Sequence, residues 1–306
     1  MGWRAEDIPS QDGRIALVTG ANIGLGLETV RALAQRGATV LMACRSRRKA
    51  ESARMGLIKE GLNDLDLLDL DLADLNSVAT AAETVKSRYG QLDLLINNAG
   101  VMAPPRQTSA QGHELQFAVN HLGHMALTTQ LLPLLEAQRG ARVVTVTSGV
   151  QYFGQIRWDD PNWQESYNRY GAYSQSKLAN VMFALELNAR LVADESPVRS
   201  LAAHPGMAQT NLQPTAVLSG GSRTEAIVYQ LMKPLFQSAA MGALPQLHAA
   251  TAPTASGGEH YGPGQLGGMR GAPGRCRVAG AALDPDQRQR LWTMSEALIN
   301  TSAARD

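Results

Sequence analysis

Six short apolar runs punctuate the first two-thirds of the chain, and each is followed by a longer stretch with a different rhythm. The runs are 14-RIALVTG-20, 38-ATVLMACR-45, 65-LDLLDLDL-72, 92-LDLLINNAG-100, 142-RVVTVTSG-149 and 198-VRSLAAHPG-206. Apolar at consecutive positions, they read as strands buried on both faces, the signature of a parallel sheet covered by helices. The stretches between them, such as 25-LGLETVRALAQRG-37, 74-DLNSVATAAETVKSRYG-90 and 111-QGHELQFAVNHLGHMALTTQLLPLLEAQRG-140, are amphipathic at helical spacing. Strand and helix alternating in this way predict an α/β fold: a Rossmann-type doubly wound parallel sheet with helices on both faces. No linker, repeat or low-complexity run divides the chain, so one domain is expected over residues 1–306. Residues 257–280, rich in Gly and Pro, read as an irregular excursion before a last helix over 284–300.

Composition narrows the function classes. A net charge of +1 gives no broad pull toward nucleic acid or an anionic membrane. Cys44 and Cys276 have no metal-ligand spacing and read as reduced thiols. The polar opening 1-MGWRAEDIPSQDGR-14 has no apolar signal region, and no 18-residue uncharged apolar run occurs. A cytoplasmic protein without a membrane span is the expectation.

The first strand runs directly into 19-TGANIGLG-26. Gly20, Gly24 and Gly26 permit a tight turn and a close backbone approach, and the helix that follows offers free N–H groups to a pyrophosphate. A glycine pattern alone is weak; between a strand and a helix it is informative. A site for NAD usually carries an acidic residue about 20 positions on, at the end of the second strand. Arg45 stands there instead, with Arg47, Arg48 and Lys49 behind it. Cations opening a helix oppose its dipole, and a 2′-phosphate would relieve that cost. NADP is therefore favoured over NAD.

In 171-GAYSQSKLAN-180, Tyr173 and Lys177 stand four apart, on one face of a helix, although the whole chain has five lysines. Such a pair is either surface decoration or a proton donor beside its electrostatic partner.

Taken in order, 19-TGANIGLG-26, 97-NNAG-100, Asn120, Ser148, 173-YSQSK-177 and 205-PGMAQT-210 resemble the short-chain dehydrogenase/reductase family. The resemblance spans roughly residues 14–210, with 211–306 left as substrate lid and C-terminal extension. Within the family, 94-LLINNAGVMAPP-105, 118-AVNHLGH-124 and the 44-CR-45 strand end are similar to the retinol-dehydrogenase-like branch. The resemblance implies a pyrophosphate held along Gly20, Asn22, Ile23, Gly24, Leu25 and Gly26, with Arg45 on the 2′-phosphate. It places Asp71 and Leu72 beside the adenine, and Asn98, Ala99 and Gly100 along the adenosine ribose. Pro205, Gly206 and Thr210 would embrace the nicotinamide carboxamide. Asn120, Ser148, Tyr173 and Lys177 would form a catalytic tetrad, with Tyr173 and Lys177 also contacting the cofactor. Ile23 departs from the Ser usual in this branch and cannot hydrogen-bond phosphate.

In the chemistry so implied, the Tyr173 phenol gives its proton to a developing alkoxide in carbonyl reduction, and its phenolate takes one in alcohol oxidation. As a base near neutrality the phenol must be held roughly 3 pH units below its ordinary value near 10, about 4 kcal/mol in favour of the phenolate. Lys177 is expected to supply part of that preference. Ser148 would bind the substrate oxygen, and Asn120 would help place a water relaying protons to Lys177. His113, His121, His124 and His204 lack carboxylate partners at useful spacing and read as core or loop residues rather than metal ligands.

The stretch from Ser148 to Tyr173 is longer than is common in the family and holds Tyr152, Phe153, Trp158, Trp163, Tyr167, Tyr170 and Tyr173, out of fifteen aromatics in the chain. It is either an apolar wall for a hydrophobic alcohol, aldehyde or ketone, or a small core that keeps the insertion ordered. The run 207–223 suits a mobile lid. The expectation is an NADP-dependent oxidoreductase interconverting an alcohol and a carbonyl, as monomer or homodimer, with the helices at 113–137 and 171–194 a conceivable dimer face. Its rivals are a reductase of a carbon–carbon double bond and a non-catalytic NADP(H) sensor.

Overall fold

Val and Leu at consecutive positions can all be buried only where both faces of a strand are covered, and that is how five of the six runs are used, the third lying at the sheet edge with Asp66 and Asp69 exposed. In the computed structural model, which describes residues 2–208 and 236–303, they form β1 (Ile15–Thr19), β2 (Thr39–Cys44), β3 (Leu65–Asp69), β4 (Leu94–Asn97), β5 (Arg142–Val146) and β6 (Arg199–Ala203). Two further strands, β7 (His260–Gln265) and β8 (Arg270–Arg275), complete one sheet of order β3-β2-β1-β4-β5-β6-β7-β8. All neighbouring pairs are parallel except β7 with β8.

The principal helices are α1 (Gly24–Ala34), α2 (Arg47–Lys59), α3 (Leu75–Arg88), α4 (Gly123–Glu136), α5 (Arg169–Ala193), α6 (Ala239–Thr251) and α7 (Pro285–Ala303). Alternate strand residues serve opposite layers. Val18, Met42, Ile96 and Val144 pack with Leu33, Leu57 and Leu247 of α1, α2 and α6. Leu17, Leu41, Leu95 and Val143 pack with Val78, Val85, Leu131 and Leu135 of α3 and α4. Each such side chain contributes roughly 1.5–3 kcal/mol by leaving water. Among the described residues no helix is long and apolar enough to cross a membrane.

Two expectations need correction. The Gly/Pro-rich 257–280 is not irregular: it contains β7, β8 and the turn between them. Its residues have low strand propensity, but β7 pairs with β6 through Ala202↔His260 and Ala203↔Tyr261. Pro273 is accommodated because β8 is an edge strand. The stretch read as one helix over 111–140 begins at Leu115 and passes through five residues of π-helix, Ala118–Leu122, before α4. Across α5 lies α7, where Trp292 stacks on Phe183 at 5.7 Å and Arg190 caps the indole at 4.3 Å. The chain's own last helix thus covers part of the surface considered as a dimer face.

Candidate active site

The strand order reverses between β1 and β4, so the connections leaving their carboxyl ends diverge and open a crevice there. Its floor is the glycine loop. Gly20 (φ +67) and Gly24 (φ +57) take left-handed backbone that other residues adopt at a cost. A Cβ on Gly26 would strike the Gly20 carbonyl and come within 2.7 Å of Asn98 Nδ2. Ile23 is the N-cap of α1 and is 48% exposed, and its aliphatic chain caps nothing. The first N–H groups of α1 thus meet no N-cap acceptor. Asn22 is half-buried beside it, and Leu25 is buried, its Cδ2 within 2.8 Å of where a Cβ on Gly242 would stand.

The β4 end is tied to this loop through Thr19. The backbone amides of Asn98 and Ala99 each donate to Thr19 Oγ1 at 2.9 Å, and Asn98 Nδ2 donates to the Thr19 carbonyl at 2.8 Å. At the end of β2, Arg45 is exposed and makes no ion pair among the described residues. α2 opens with Arg47, Arg48 and Lys49, with no acidic residue in its first turn. Arg47 reaches Asp69 at 3.6 Å, both largely exposed. Burial pushes the neighbouring Cys44 thiol up to about 11, which leaves it inert. Beyond β3, Asp71 Oδ1 accepts from the Ala73 amide at 3.0 Å, and buried Leu72 packs where Gly123 leaves room.

The four candidate tetrad residues come together at the ends of β4 and β5. Asn120 sits in the π-helical turn, a feature frequent at functional sites. Its side chain is fully engaged: Oδ1 accepts from the Val101 amide at 2.8 Å, and Nδ2 donates to the Val101 carbonyl at 3.0 Å and to Ser176 Oγ at 2.9 Å. Ser148 lies just past β5, where its hydroxyl accepts from the Val150 amide at 3.5 Å and acts on the Tyr173 phenol, opposing the effect of burial. Lys177 Nζ donates to the Val146 carbonyl at 3.2 Å and stands 5.8 Å from the centroid of the Tyr173 ring. Gly100 closes the group: a Cβ there would lie 3.2 Å from Asn120 Oδ1 and 3.4 Å from Lys177 Nζ.

The electrostatics differ from the expectation that Lys177 lowers the Tyr173 pKa. Burial raises Tyr173 to about 12, with Ser148 pulling slightly the other way, and lowers Lys177 to about 8. Desolvation disfavours both charged forms, and the ammonium is drawn toward a backbone carbonyl rather than to the phenol oxygen. The protein by itself therefore holds Tyr173 as the protonated phenol.

Gly206 (φ +63) follows β6, and a Cβ on it would fall 2.7 Å from Pro263 Cγ; the next amide, Met207, donates to the Met269 carbonyl at 2.8 Å. Pro205 precedes it, its carbonyl accepting from Gln237 Nε2 at 2.8 Å. Thr210 and the lid residues 209–223 lie outside the described residues.

In the insertion, most aromatics pack inward. Trp163 covers Gly171 and is capped by Arg157 at 4.5 Å, Tyr167 donates to Glu114 Oε1 at 3.2 Å, and Trp158 lies under Arg290 at 4.4 Å. Tyr152 and Phe153, just past Ser148, remain exposed, Phe153 at 81%. The segment is mainly a small core, with three aromatics, Tyr152, Phe153 and Tyr170, left at the surface. The histidines are buried with hydrogen-bond partners: His113 with Leu298, His121 with Ser295, His124 with Thr19 and His204 with the Gly206 amide. Sequence reasoning gave no role to Thr19 or Ser176, although both lie inside quoted motifs, because their partners are distant in sequence.

The short chain dehydrogenase family model matches residues 14–218. Human retinol dehydrogenase 13 is 37% identical over 95% of this chain and 86% of its own. Mouse polyprenol dehydrogenase is 37% identical over 98% and 88%. The solved structure of an uncharacterised protein from Mycobacterium paratuberculosis superposes with a TM-score of 0.82 at 40% identity, covering 98% of both chains. The chain belongs to the short-chain dehydrogenase family, in its retinol-dehydrogenase-like branch, and is an alcohol/carbonyl oxidoreductase of nicotinamide-cofactor type.

Proposed function

We propose that this protein is an NADP-dependent reductase of hydrophobic aldehydes or ketones, working as one domain in the cytoplasm. The observation that carries the reading is the convergence of Asn120, Ser148, Tyr173 and Lys177 beside Gly100, at the β5 end of the glycine-floored crevice. The crevice fits a dinucleotide: Gly20, Gly26 and Gly100 keep clear the places a Cβ would fill, and the N-terminus of α1 offers amides. Arg45, exposed and without an acidic partner, is the residue for a 2′-phosphate. Asp71 and Leu72 would flank the adenine, Asn98 and Ala99 the ribose, and Pro205, Gly206 and Thr210 the nicotinamide.

When bound, the reduced nicotinamide supplies the hydride. Tyr173 would supply the proton in carbonyl reduction: as a buried phenol raised to about 12 it carries that proton at neutral pH. Ser148, beside the phenol whose pKa it lowers, would donate to the substrate oxygen as charge develops there. Lys177, lowered to about 8, still carries its charge at pH 7 and would hold the cofactor ribose. The names of the relatives, retinol and polyprenol dehydrogenase, support an apolar substrate, and exposed Tyr152 and Phe153 would face it.

The test is turnover of a panel of aliphatic, aromatic and steroidal carbonyls, following NADPH and NADH separately. Consumption of NADPH that falls at least 10³-fold in Tyr173→Phe is expected. Turnover unchanged in Tyr173→Phe would sink the mechanism, and a clear NADH preference would sink the assignment of Arg45.

A further inference from the structure

We infer that His124 is a positioning residue that ties Asn120 to the strand bearing the cofactor loop, so that cofactor site and tetrad share one unbroken chain of hydrogen bonds. The inference rests on the proposed roles of Asn120 and Tyr173. His124 lies one helical turn after Asn120, which brings its ring back over the Asn120 carbonyl. Its Nδ1 is 3.0 Å from that carbonyl and its Nε2 is 2.9 Å from Thr19 Oγ1.

The donors settle the direction of every bond. A carbonyl only accepts, so Nδ1 carries the proton and Nε2 is bare. Thr19 Oγ1 already accepts the amides of Asn98 and Ala99, and its one proton has two acceptors in reach, the Ile96 carbonyl at 3.4 Å and His124 Nε2 at 2.9 Å, of which the bare Nε2 is the nearer. On the far side, Asn120 Nδ2 donates to Ser176 Oγ, and Ser176 donates to the Tyr173 carbonyl at 2.7 Å. The run Thr19–His124–Asn120–Ser176–Tyr173 thus joins the end of β1, the π-turn and α5.

Thr19, His124, Asn120 and Ser176 are all essentially inaccessible to water, so no water can replace a broken link, and Thr19 would fall back on the longer contact to the Ile96 carbonyl at 3.4 Å. Burial also keeps His124 neutral, pushing it down to about 4, and neutrality is the state the chain of donors requires. His121, three residues earlier, is a useful contrast: its Nε2 meets Ser295 but its Nδ1 has no partner among the described residues. One histidine of the pair packs the core, and the other bridges two halves of the site.

The experiment compares His124→Phe with His124→Gln, reading NADPH affinity by fluorescence titration and kcat by turnover. Phe keeps the ring volume and loses both hydrogen bonds; Gln loses the ring but keeps an amide donor and an acceptor. The expected order is wild type, then Gln, then Phe, with Phe losing roughly tenfold in both NADPH affinity and kcat. A core-packing role would reverse the two variants, and that order, or a Phe variant equal to wild type, overturns the inference. Thr19→Val, alone and combined with His124→Phe, provides a second reading. Losses in NADPH affinity that fail to multiply support the shared link; losses that multiply in full overturn it. Because affinity is read without turnover, an inactive wild type would refute the proposed reduction while leaving this arm decisive. If His124→Phe does not fold, His124→Gln with Thr19→Val replaces it in the cycle under the same criterion.

Discussion

The two ends of the crevice are built differently. At the β2 end, Arg45, Arg47, Arg48 and Lys49 stand in solvent at or just before a helix start with no acid in its first turn, and only Arg47 reaches a carboxylate, Asp69 at 3.6 Å. At the β5 end, Asn120, Tyr173 and Lys177 are buried, and the Asn120 amide and the Lys177 ammonium are each held by hydrogen bonds within the fold. The open end can gain or lose a charge with little effect on its surroundings, so cofactor choice there is adjustable. The closed end cannot, since each change strands a neighbour. On the proposed roles, preference would be set where the protein is loose, and chemistry where it is tight.

The largest expected effect tests the closed end. Lys177→Met should lower kcat by roughly 10²–10⁴-fold while the chain still folds, read by turnover together with circular dichroism. A loss below about tenfold would show that the buried ammonium takes no part. Acid should also weaken the fold through its buried histidines. His124 and His260 are each pushed by burial to about 4, against 6.5 for a free imidazole. Between those values the unfolded chain binds more protons, so stability is complete above about pH 7 and falls as pH drops toward 4. Each contributes on the order of 3 kcal/mol. Urea unfolding at pH 7 and pH 5 should show the midpoint fall, and equal midpoints would contradict it.

At the glycine floor between the two ends, Gly26→Ala should cost about 1–3 kcal/mol of stability through the clash with Gly20 and Asn98. It should also weaken NADPH binding by tenfold or more, measured by thermal melts with and without cofactor. The smallest change belongs to the open end. Arg45→Ala should raise the NADPH KM by roughly tenfold, about 1.4 kcal/mol, with the NADH KM and the melting temperature unmoved. A destabilised Arg45→Ala protein would erase the contrast between the two ends.

Much of the open end was legible in the sequence, because its logic is local. The strand, the glycines and the basic start of α2 are contiguous, and β-branched runs announce buried strands wherever they occur. The closed end was legible in its residues but not in its wiring. Thr19 meets His124 across 105 positions and Asn120 meets Ser176 across 56, separations no periodicity encodes. The direction in which Tyr173 is shifted was misjudged for a related reason. Helical spacing does place Lys177 on the same face, but the Val146 carbonyl that draws its ammonium aside lies on another element. β7 and β8 escaped notice because Gly and Pro signal turns, and only pairing with β6 makes strands of them.

The last of those strands also decides where the sheet stops. β8 runs opposite to its neighbour, is six residues long, carries Pro273 in its middle and ends in Arg270 and Arg275. Proline withholds a donor from any incoming strand, and charge at either end keeps the rim hydrated. A sheet this apolar would otherwise present a raw margin on which further chains could template. What looked in the sequence like slack is the molecule's guard against aggregation along that rim.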